Sequence, residues 1–443
     1  MKEDNYFWNY KYKPGITRKK SKNDYSDVKP LVSIITSYYN RYEYMWQTIN
    51  CILNQTFQSW EWIIVDDGST DKKALEYLKA VEKIDNRIRV YHKENGGLAT
   101  GRDYAIKYAT TKYILPLDAD DLIEPTYIET LFWTLETNPE SAWAFTNSVG
   151  FGKYNYLSDC DFDCERMKTD NHITATALIR KDKILNVGGY GKAKRYVNED
   201  WHLWLRMLAN KDFPIQVSYY GFWYRRQEKS LLTEVNDPKK EKYKLKMRDL
   251  KEEADKITEE IKAKIYPQEN NKKMEDNNFI IKDDICLLSS NNKSAQLYIL
   301  PYLGTDKKMY RKIKKQAQKN DIYIVTLQRS LHSQYMLRQK YEQFSIIYDL
   351  NTFLESKYWI SFLKYIKDNR NIKDIYLSNT IYNREIKEKF EVVDIENCDD
   401  SNFKYELNVL KYYIKKSIIV RGLRKILRII IRKECWYLWR FGF

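Results

Sequence analysis

Short apolar runs alternate with longer stretches of mixed polarity from Leu31 to Leu117. Val32 to Thr36, Trp62 to Val65, Ile88 to Tyr91 and Tyr113 to Leu117 are almost wholly apolar, as strands covered on both faces must be. Between them, Tyr42 to Leu53, Lys73 to Val81 and Leu98 to Tyr108 place apolar residues at helical spacing. This alternation predicts a doubly wound α/β domain. Ligands bind beyond the carboxyl ends of the strands in such sheets, so the polar residues directly after each run come first: Asn40, Asp66-Asp67-Gly68-Ser69 and Asp118-Ala119-Asp120-Asp121.

Further along, Asn198 to Asn210 reads as a helix whose opening acids, Glu199 and Asp200, are favoured by the helix dipole. Asp237 to Lys264 is a highly charged helical stretch, and Gln268 to Asp284 is polar without periodicity, which places a domain boundary there. Strands then recur at Leu297 to Leu300, Ile322 to Leu327, Ile346 to Tyr348 and Ile375 to Leu377. Helices are predicted near Lys307 to Gln318, Tyr358 to Asp368 and Ile381 to Lys389, giving a second, smaller α/β unit.

Composition narrows the class. A chain of 443 residues with 43% apolar and 31% charged side chains is neither disordered throughout nor a membrane bundle. No apolar stretch reaches the roughly 18 residues that a span needs, and residues 1–30 lack an apolar signal core, so neither spanning nor export is expected. Six scattered cysteines, with Cys160 and Cys164 the one close pair, suggest neither a disulfide framework nor a zinc site. A cytoplasmic location fits best.

The net charge of +15 is unevenly spread, with nine Lys or Arg and no acid in residues 411–433. Helical projection of residues 418–432 puts Ile419, Leu423, Ile426, Leu427 and Ile430 on one face and Arg421, Arg424, Lys425, Arg428 and Arg432 on the other. With the aromatics from Trp436 to Phe443, this basic amphipathic segment predicts peripheral attachment to an anionic membrane surface through residues 411–443. Packing against the second α/β unit is the competing reading. No recognised nucleic-acid module accompanies the charge, so no nucleic acid is expected as a partner.

Three motifs carry chemistry. Asp118 and Asp120 stand two apart, which in extended chain puts both carboxylates on one face, able to hold a hard divalent cation. Asp66-Asp67-Gly68-Ser69-Thr70 ends a strand and opens a helix, and Asn95-Gly96-Gly97 frees backbone N–H groups beside Arg102, a cation suited to phosphate. Taken singly, the two acidic motifs read more readily as solvated or capped turns, and a structural turn explains the glycines but not Arg102.

In order and spacing these motifs, with Val32 to Asn40, Val187-Gly188-Gly189-Tyr190 and Asn198-Glu199-Asp200-Trp201-His202-Leu203-Trp204-Leu205-Arg206, resemble the family 2 glycosyltransferases with a GT-A fold. The resemblance implies a nucleotide-sugar donor. Asp66 and Asp67 would contact the base, Thr36 and Tyr38 would line the same pocket, and Asp118 would lie near the ribose or a metal-bound water. Asp120 would hold Mg2+ or Mn2+ with Asp118. Asp200 would be the general base, with Glu199, Trp201 and His202 on the acceptor side. Tyr224-Arg225-Arg226-Gln227-Glu228-Lys229-Ser230 resembles the family's closing segment, with Gln227 in its variable position, so Arg225 or Arg226 is the expected phosphate contact. The second unit resembles, over a short span, the N-terminal Rossmann-like half of a GT-B enzyme.

The expected division is therefore an N-terminal tail (1–29), a GT-A domain (30–235), a charged helix and linker (236–284), a Rossmann-like α/β domain (285–395) and a basic amphipathic segment (396–443). The expected function is metal-dependent, inverting transfer of a sugar to a hydroxyl on a glycan, lipid-linked or protein acceptor, in surface polysaccharide or glycoconjugate assembly. A transferase directed at protein of a surface appendage and a catalytically silent glycan- or membrane-binding scaffold are the rivals. Three acidic motifs at one sheet edge speak against the silent scaffold.

Overall fold

The computed structural model describes residues 8–16, 25, 27–191, 198–228, 244–266, 274, 279–281, 283–288, 294–303, 307–328, 335–378 and 380–395. The predicted amphipathic helix at residues 418–432 lies outside them. No helix among the described residues is long and apolar enough to cross a membrane.

The first unit runs β1 (Val32–Tyr38), α1 (Met45–Leu53), β2 (Trp60–Asp66), α2 (Lys72–Val81), β3 (Ile88–His92), α3 (Leu98–Tyr108) and β4 (Tyr113–Pro116). It continues with β5 (Leu122–Ile123), α4 (Tyr127–Glu136), β6 (Ser141–Gly152), β7 (Tyr156–Ser158), α5 (Cys164–Met167), β8 (Leu178–Arg180), α6 (Lys181–Asn186), α7 (Glu199–Ala209) and β9 (Phe213–Arg226). A further helix, α8 (Lys244–Asp255), and a short β10 (Lys264–Ile265) follow. The sheet order is β10-β9-β6-β8-β4-β1-β2-β3. Strands β1 to β4 pair in parallel, and β8 inserts antiparallel between β4 and β6. All four apolar runs of the sequence are thus the parallel strands, with both faces covered. The predicted 237–264 helix is described only as Lys244–Asp255.

The second unit is a five-stranded parallel sheet in the order β13-β12-β11-β14-β15, formed by β11 (Ala295–Leu300), β12 (Asp321–Thr326), β13 (Ile346–Asp349), β14 (Ile372–Leu377) and β15 (Val393–Asp394). Its helices are α9 (Lys307–Gln316), α10 (Tyr335–Glu342), α11 (Trp359–Asn369) and α12 (Asn383–Lys387). This Rossmann-like order is the one expected when crossovers cover both faces of a parallel sheet.

The two units share a core. The largest apolar cluster runs from Ile34, Trp62 and Trp133 of the first into Leu297, Phe362 and Leu377 of the second. Within it Glu129 of α4, wholly buried, accepts hydrogen bonds from Arg370 Nη2 at both oxygens (2.7 and 2.7 Å), from Tyr348 Oη (2.6 Å) and Tyr365 Oη (2.6 Å), and from Thr56 Oγ1. A buried carboxylate is tolerable only when so fully paired. The described part of the N-terminal segment is no loose tail: Trp8 is buried 5.1 Å from Tyr220, and Asn9 N–H donates to Gln339 Oε1 of the second unit (2.8 Å).

Candidate active site

The carboxyl ends of β1, β2 and β4 converge with the start of α7. Arg102, on α3 and 1% exposed, joins two motifs far apart in sequence: its Nη2 donates to Asp118 Oδ1 (2.9 Å) and its Nη1 to Glu199 Oε1 (2.6 Å). Tyr190 packs against the guanidinium at 5.4 Å. Arg102 is therefore held beneath the acids, and the role of free phosphate cation expected for it is corrected to that of a clamp. The α3 backbone can come close to β1 here because residue 101 is glycine; a Cβ there would stand 2.1 Å from Ser37 Oγ.

Acid crowding leaves its mark on protonation. Burial and then Asp118 push the Asp120 carboxyl up to about 6, and burial with both neighbours raises Asp121 well above its ordinary range. Glu199 is pushed up to about 7, chiefly by burial and against the opposing pull of Arg102. Asp200 is also raised, by burial first, while Arg102 and the hydrogen bonds from Trp201 N–H and Asn171 oppose the rise. Groups strained in this way mark functional sites more often than structural ones.

The closing segment folds back over these acids at the end of β9. Arg225 N–H donates to Asp121 Oδ1 (2.8 Å), its Nε to Asp120 O (2.7 Å), and its Nη2 to Gln47 Oε1, while the guanidinium stacks on Tyr44 (4.1 Å) and Phe151 (4.5 Å). Arg225 is thus committed to supporting the acid loop and is not the phosphate contact expected from the sequence. Arg226 differs. It lies 5.0 Å from the Tyr224 ring and makes no ion pair with any described residue. Gln227 Nε2 donates to Asp120 Oδ2, and its Oε1 accepts from the exposed Arg41 (3.2 Å).

The donor-side residues read from the sequence divide. Asp66 is buried, its Oδ1 accepting from Ser69 N–H (2.9 Å) and its Oδ2 facing His92 Nδ1 (2.9 Å). Asp67 accepts from Gly96 N–H (2.9 Å) and Gly97 N–H (2.7 Å) and pairs with Lys93, so it anchors the glycine turn where base contact was expected. Thr36 donates to Leu117 O (2.6 Å) and accepts from Trp62 Nε1 (2.9 Å), and Tyr38 is wholly buried beneath α2. The two-residue strand period puts both on the core face, so neither side chain lines a pocket as expected.

On the acceptor side, Trp201 is buried and donates from Nε1 to Met167 O (2.7 Å), which pins the loop that begins at Asp159. His202 lies 4.0 Å from Glu253 on α8, so the structure places it where α7 packs on α8. Glu199 touches Arg102, not open space.

Sequence reasoning missed Asn171, Asp103 and Arg41. Asn171 Nδ2 donates to Asp200 Oδ2 (3.1 Å), and Asp103 Oδ1 accepts from Tyr190 N–H (2.7 Å) to fix the Gly188-Gly189 turn. Position was the one signal that could have found Arg41, since it directly follows the Asn40 that comes after the first strand.

A GT-A sheet with paired acids at two strand ends and an acid-headed helix opposite defines the glycosyltransferase class. Residues 33–194 match the family model described as glycosyl transferase family 2. The chain is 29% identical over 223 residues to the glycosyltransferase GlyG of Streptococcus pneumoniae, covering 46% of this chain and 73% of that one. TuaG of Bacillus subtilis, whose name places it in teichuronic acid biosynthesis, is 47% identical over 94 residues, 21% of this chain and 37% of its own. An uncharacterised glycosyltransferase of Methanocaldococcus jannaschii is 33% identical over 193 residues, 41% of this chain and 66% of its own. The crystal structure of S. aureus TarS superposes with a TM-score of 0.39 at 18% identity, covering 51% of this chain and 43% of that one. The likeness to family 2 glycosyltransferases thus spans residues 33–194 of the first unit.

Proposed function

We propose that the protein transfers a sugar from a nucleoside diphosphate to an acceptor hydroxyl with inversion, in assembly of a surface polysaccharide or related glycoconjugate. The observation that carries this reading is Arg102, which draws Asp118 and Glu199 onto one guanidinium, with Asp200 next in sequence to Glu199 and within the electrostatic influence of Asp118. The teichuronic acid name of one relative supports the polysaccharide setting.

Mg2+ or Mn2+ suits Asp118 and Asp120, because hard oxygens are the preferred donors and a divalent cation would offset both the burial and the Asp118 repulsion that raise Asp120. Among the described residues no third acid, His or Cys joins them in a metal-ligating group. Such a cation supplies Lewis-acid neutralisation of the departing diphosphate. The chain's own residues do the rest. Asp66 stands at the end of β2 for the base of the nucleotide, and Arg226 and Arg41 offer their charge to the phosphates. Asp200 takes the proton of the acceptor hydroxyl as its oxygen bonds to the anomeric carbon, and the nucleoside diphosphate leaves from the opposite face with the bonding pair. A base with an elevated pKa is well matched to that task.

Release of nucleoside diphosphate from a panel of nucleotide sugars, with Mn2+, Mg2+ or chelator, tests the proposal. Metal-dependent release with one donor, strongly reduced in Asp200→Asn and Asp120→Ala, is the expected result. Silence across the panel with glycan, lipid and peptide acceptors present would instead favour a binding scaffold.

A further inference from the structure

The positive charge of the chain is concentrated in two stretches. Residues 307–319 hold seven Lys or Arg and no acid, and residues 411–433 hold nine and no acid, so these sixteen cations exceed the net charge of +15 and the remaining residues are net −1. The first stretch is α9 with the turn that follows it. Lys308, Arg311, Lys312, Lys314 and Lys315 of the helix and Lys319 of the turn are all exposed. At about 100° per residue the five helical cations spread over an arc of about 160°, a whole helix face of one sign.

The opposite side of α9 is used inside the second unit. Met309 and Ile313 are buried against Tyr298, Leu300, Ile322 and Ile324, in a cluster whose residues all belong to that unit. Strand pleating sends the alternate residues, Leu297, Ile299, Tyr323 and Val325, into the core shared with the first unit. The cationic face of α9 is therefore on the layer turned away from the first unit. Ile395, the last described residue, packs against the same outer cluster, so residues 396–443, with nine further cations, begin on this side.

A merely solvated helix of this chain has another composition. Over a similar length α8 carries four cations and four acids, and Lys256 just beyond it pairs with Glu253 (3.1 Å). On α9 there is no acid to pair with, and Arg311, Lys312, Lys314, Lys315 and Lys319 form no ion pair with any described residue. Such a face is complementary to an anionic partner. Lysine, a hydrated point charge, outnumbers here the arginine that forked recognition of single phosphates favours. The one aromatic ring of the helix, Tyr310, is engaged by Tyr341 and Phe344 (5.1 and 5.5 Å) and lies under Lys314 (5.7 Å), not offered as a stacking platform for a sugar. Many cations on one side with no shaped contact is what a charged plane attracts.

We propose that the outer face of the second unit docks on an anionic lipid bilayer through the exposed cations of α9 and Lys319. Because α9 keeps its apolar side for its own core, it draws the surface in without inserting. Insertion is left to the apolar and aromatic residues of the basic C-terminal segment expected from the sequence, and a polybasic patch with an inserting segment makes a two-signal attachment. The inference is independent of the reaction proposed above. It gives the second unit a task, which is to hold the first unit at a charged membrane surface.

The full chain is mixed with vesicles of phosphatidylcholine, alone or with phosphatidylglycerol added, and the bound fraction is read by flotation. Native protein is expected to bind only the anionic vesicles and to be released by salt. Lys312→Gln, Lys315→Gln and Lys319→Gln together should weaken that binding about 10²-fold, about fivefold for each cation removed, with the melting temperature unchanged. Lys312→Arg, Lys315→Arg and Lys319→Arg together should bind within about twofold of native, because charge alone is required.

Equal binding of native and glutamine-substituted chains to the anionic vesicles would overturn the proposal. Binding to neither vesicle, or equally to both, would do the same. Loss confined to a chain carrying Arg421→Gln, Arg424→Gln and Arg428→Gln would place the contact on the C-terminal segment alone. If the glutamine-substituted chain lost affinity for soluble polygalacturonate while keeping its hold on vesicles, the face would be a track for an anionic polymer and not a membrane contact.

Discussion

Parallel strands in both sheets are followed or closed by acids, yet only one of these edges is left with unbalanced charge. In the second unit Asp349 closes β13, buried at 4% exposure, and accepts from Thr326 at the end of β12 and from Arg338 of α10. Hydroxyl, carboxylate and guanidinium satisfy one another there. In the first unit a single guanidinium, Arg102, is divided between Asp118 and Glu199, and Asp120, Asp121, Glu199 and Asp200 are all pushed toward higher pKa. Shared topology thus does not by itself make a site; the charge left unmatched at the strand ends does.

The sharpest way to break this comparison is Asp200→Asn, expected to lower kcat about 10³-fold in nucleotide-release assays while the melting temperature stays put, as removal of a general base does. Close behind in energy, Glu129→Ala should cost about 3 to 5 kcal/mol of stability in denaturant titrations, because Arg370 would remain as an uncompensated buried cation. Asp120→Ala is expected to lower metal-stimulated turnover about 10²-fold. Asp349→Asn at the balanced edge should lower stability by about 1 to 3 kcal/mol and leave kcat of the folded protein unchanged. A comparable kcat loss there would erase the distinction between the edges.

The smallest effect is in pH. Asp120 binds a proton up to about pH 6, so below that value the Mn2+ concentration for half-maximal rate should rise, by up to about tenfold per pH unit. Asp200 acts ionised and its pKa is raised, so kcat/KM at saturating metal should fall with acidification at a pH above the ordinary aspartate value of about 3.9. An acid limb at or below that value would mean that the base sits in open water.

Much of this architecture was legible because buried parallel strands announce themselves as unbroken apolar runs, and Val32, Trp62, Ile88 and Tyr113 all begin or lie within observed strands. The acids were legible from their place after those runs. What pattern could not give was the direction of each side chain once the motif was found. Thr36 and Tyr38 belong to the motif, yet strand pleating turns them to the core. Arg102 and Arg225 look like phosphate cations in sequence and are consumed by carboxylates and carbonyls that other segments deliver. Asn171 had no sequence signal of its own, because its meaning comes from Asp200, reached only through the folded loop.

The carboxylate of Glu129 has a consequence for modularity. Residues from both sides of the apparent linker complete its hydrogen bonds, and Trp133 on the same helix is flanked by Phe279, Phe362 and Tyr365. Trimming the chain to the first unit alone would leave an anion and an indole of α4 without their partners from the second unit. Recombination that exchanged the second unit for another would have to bring a matching arginine and two tyrosines with it. The pair is therefore expected to be inherited as one cassette, with donor chemistry at one end and its permanent companion at the other.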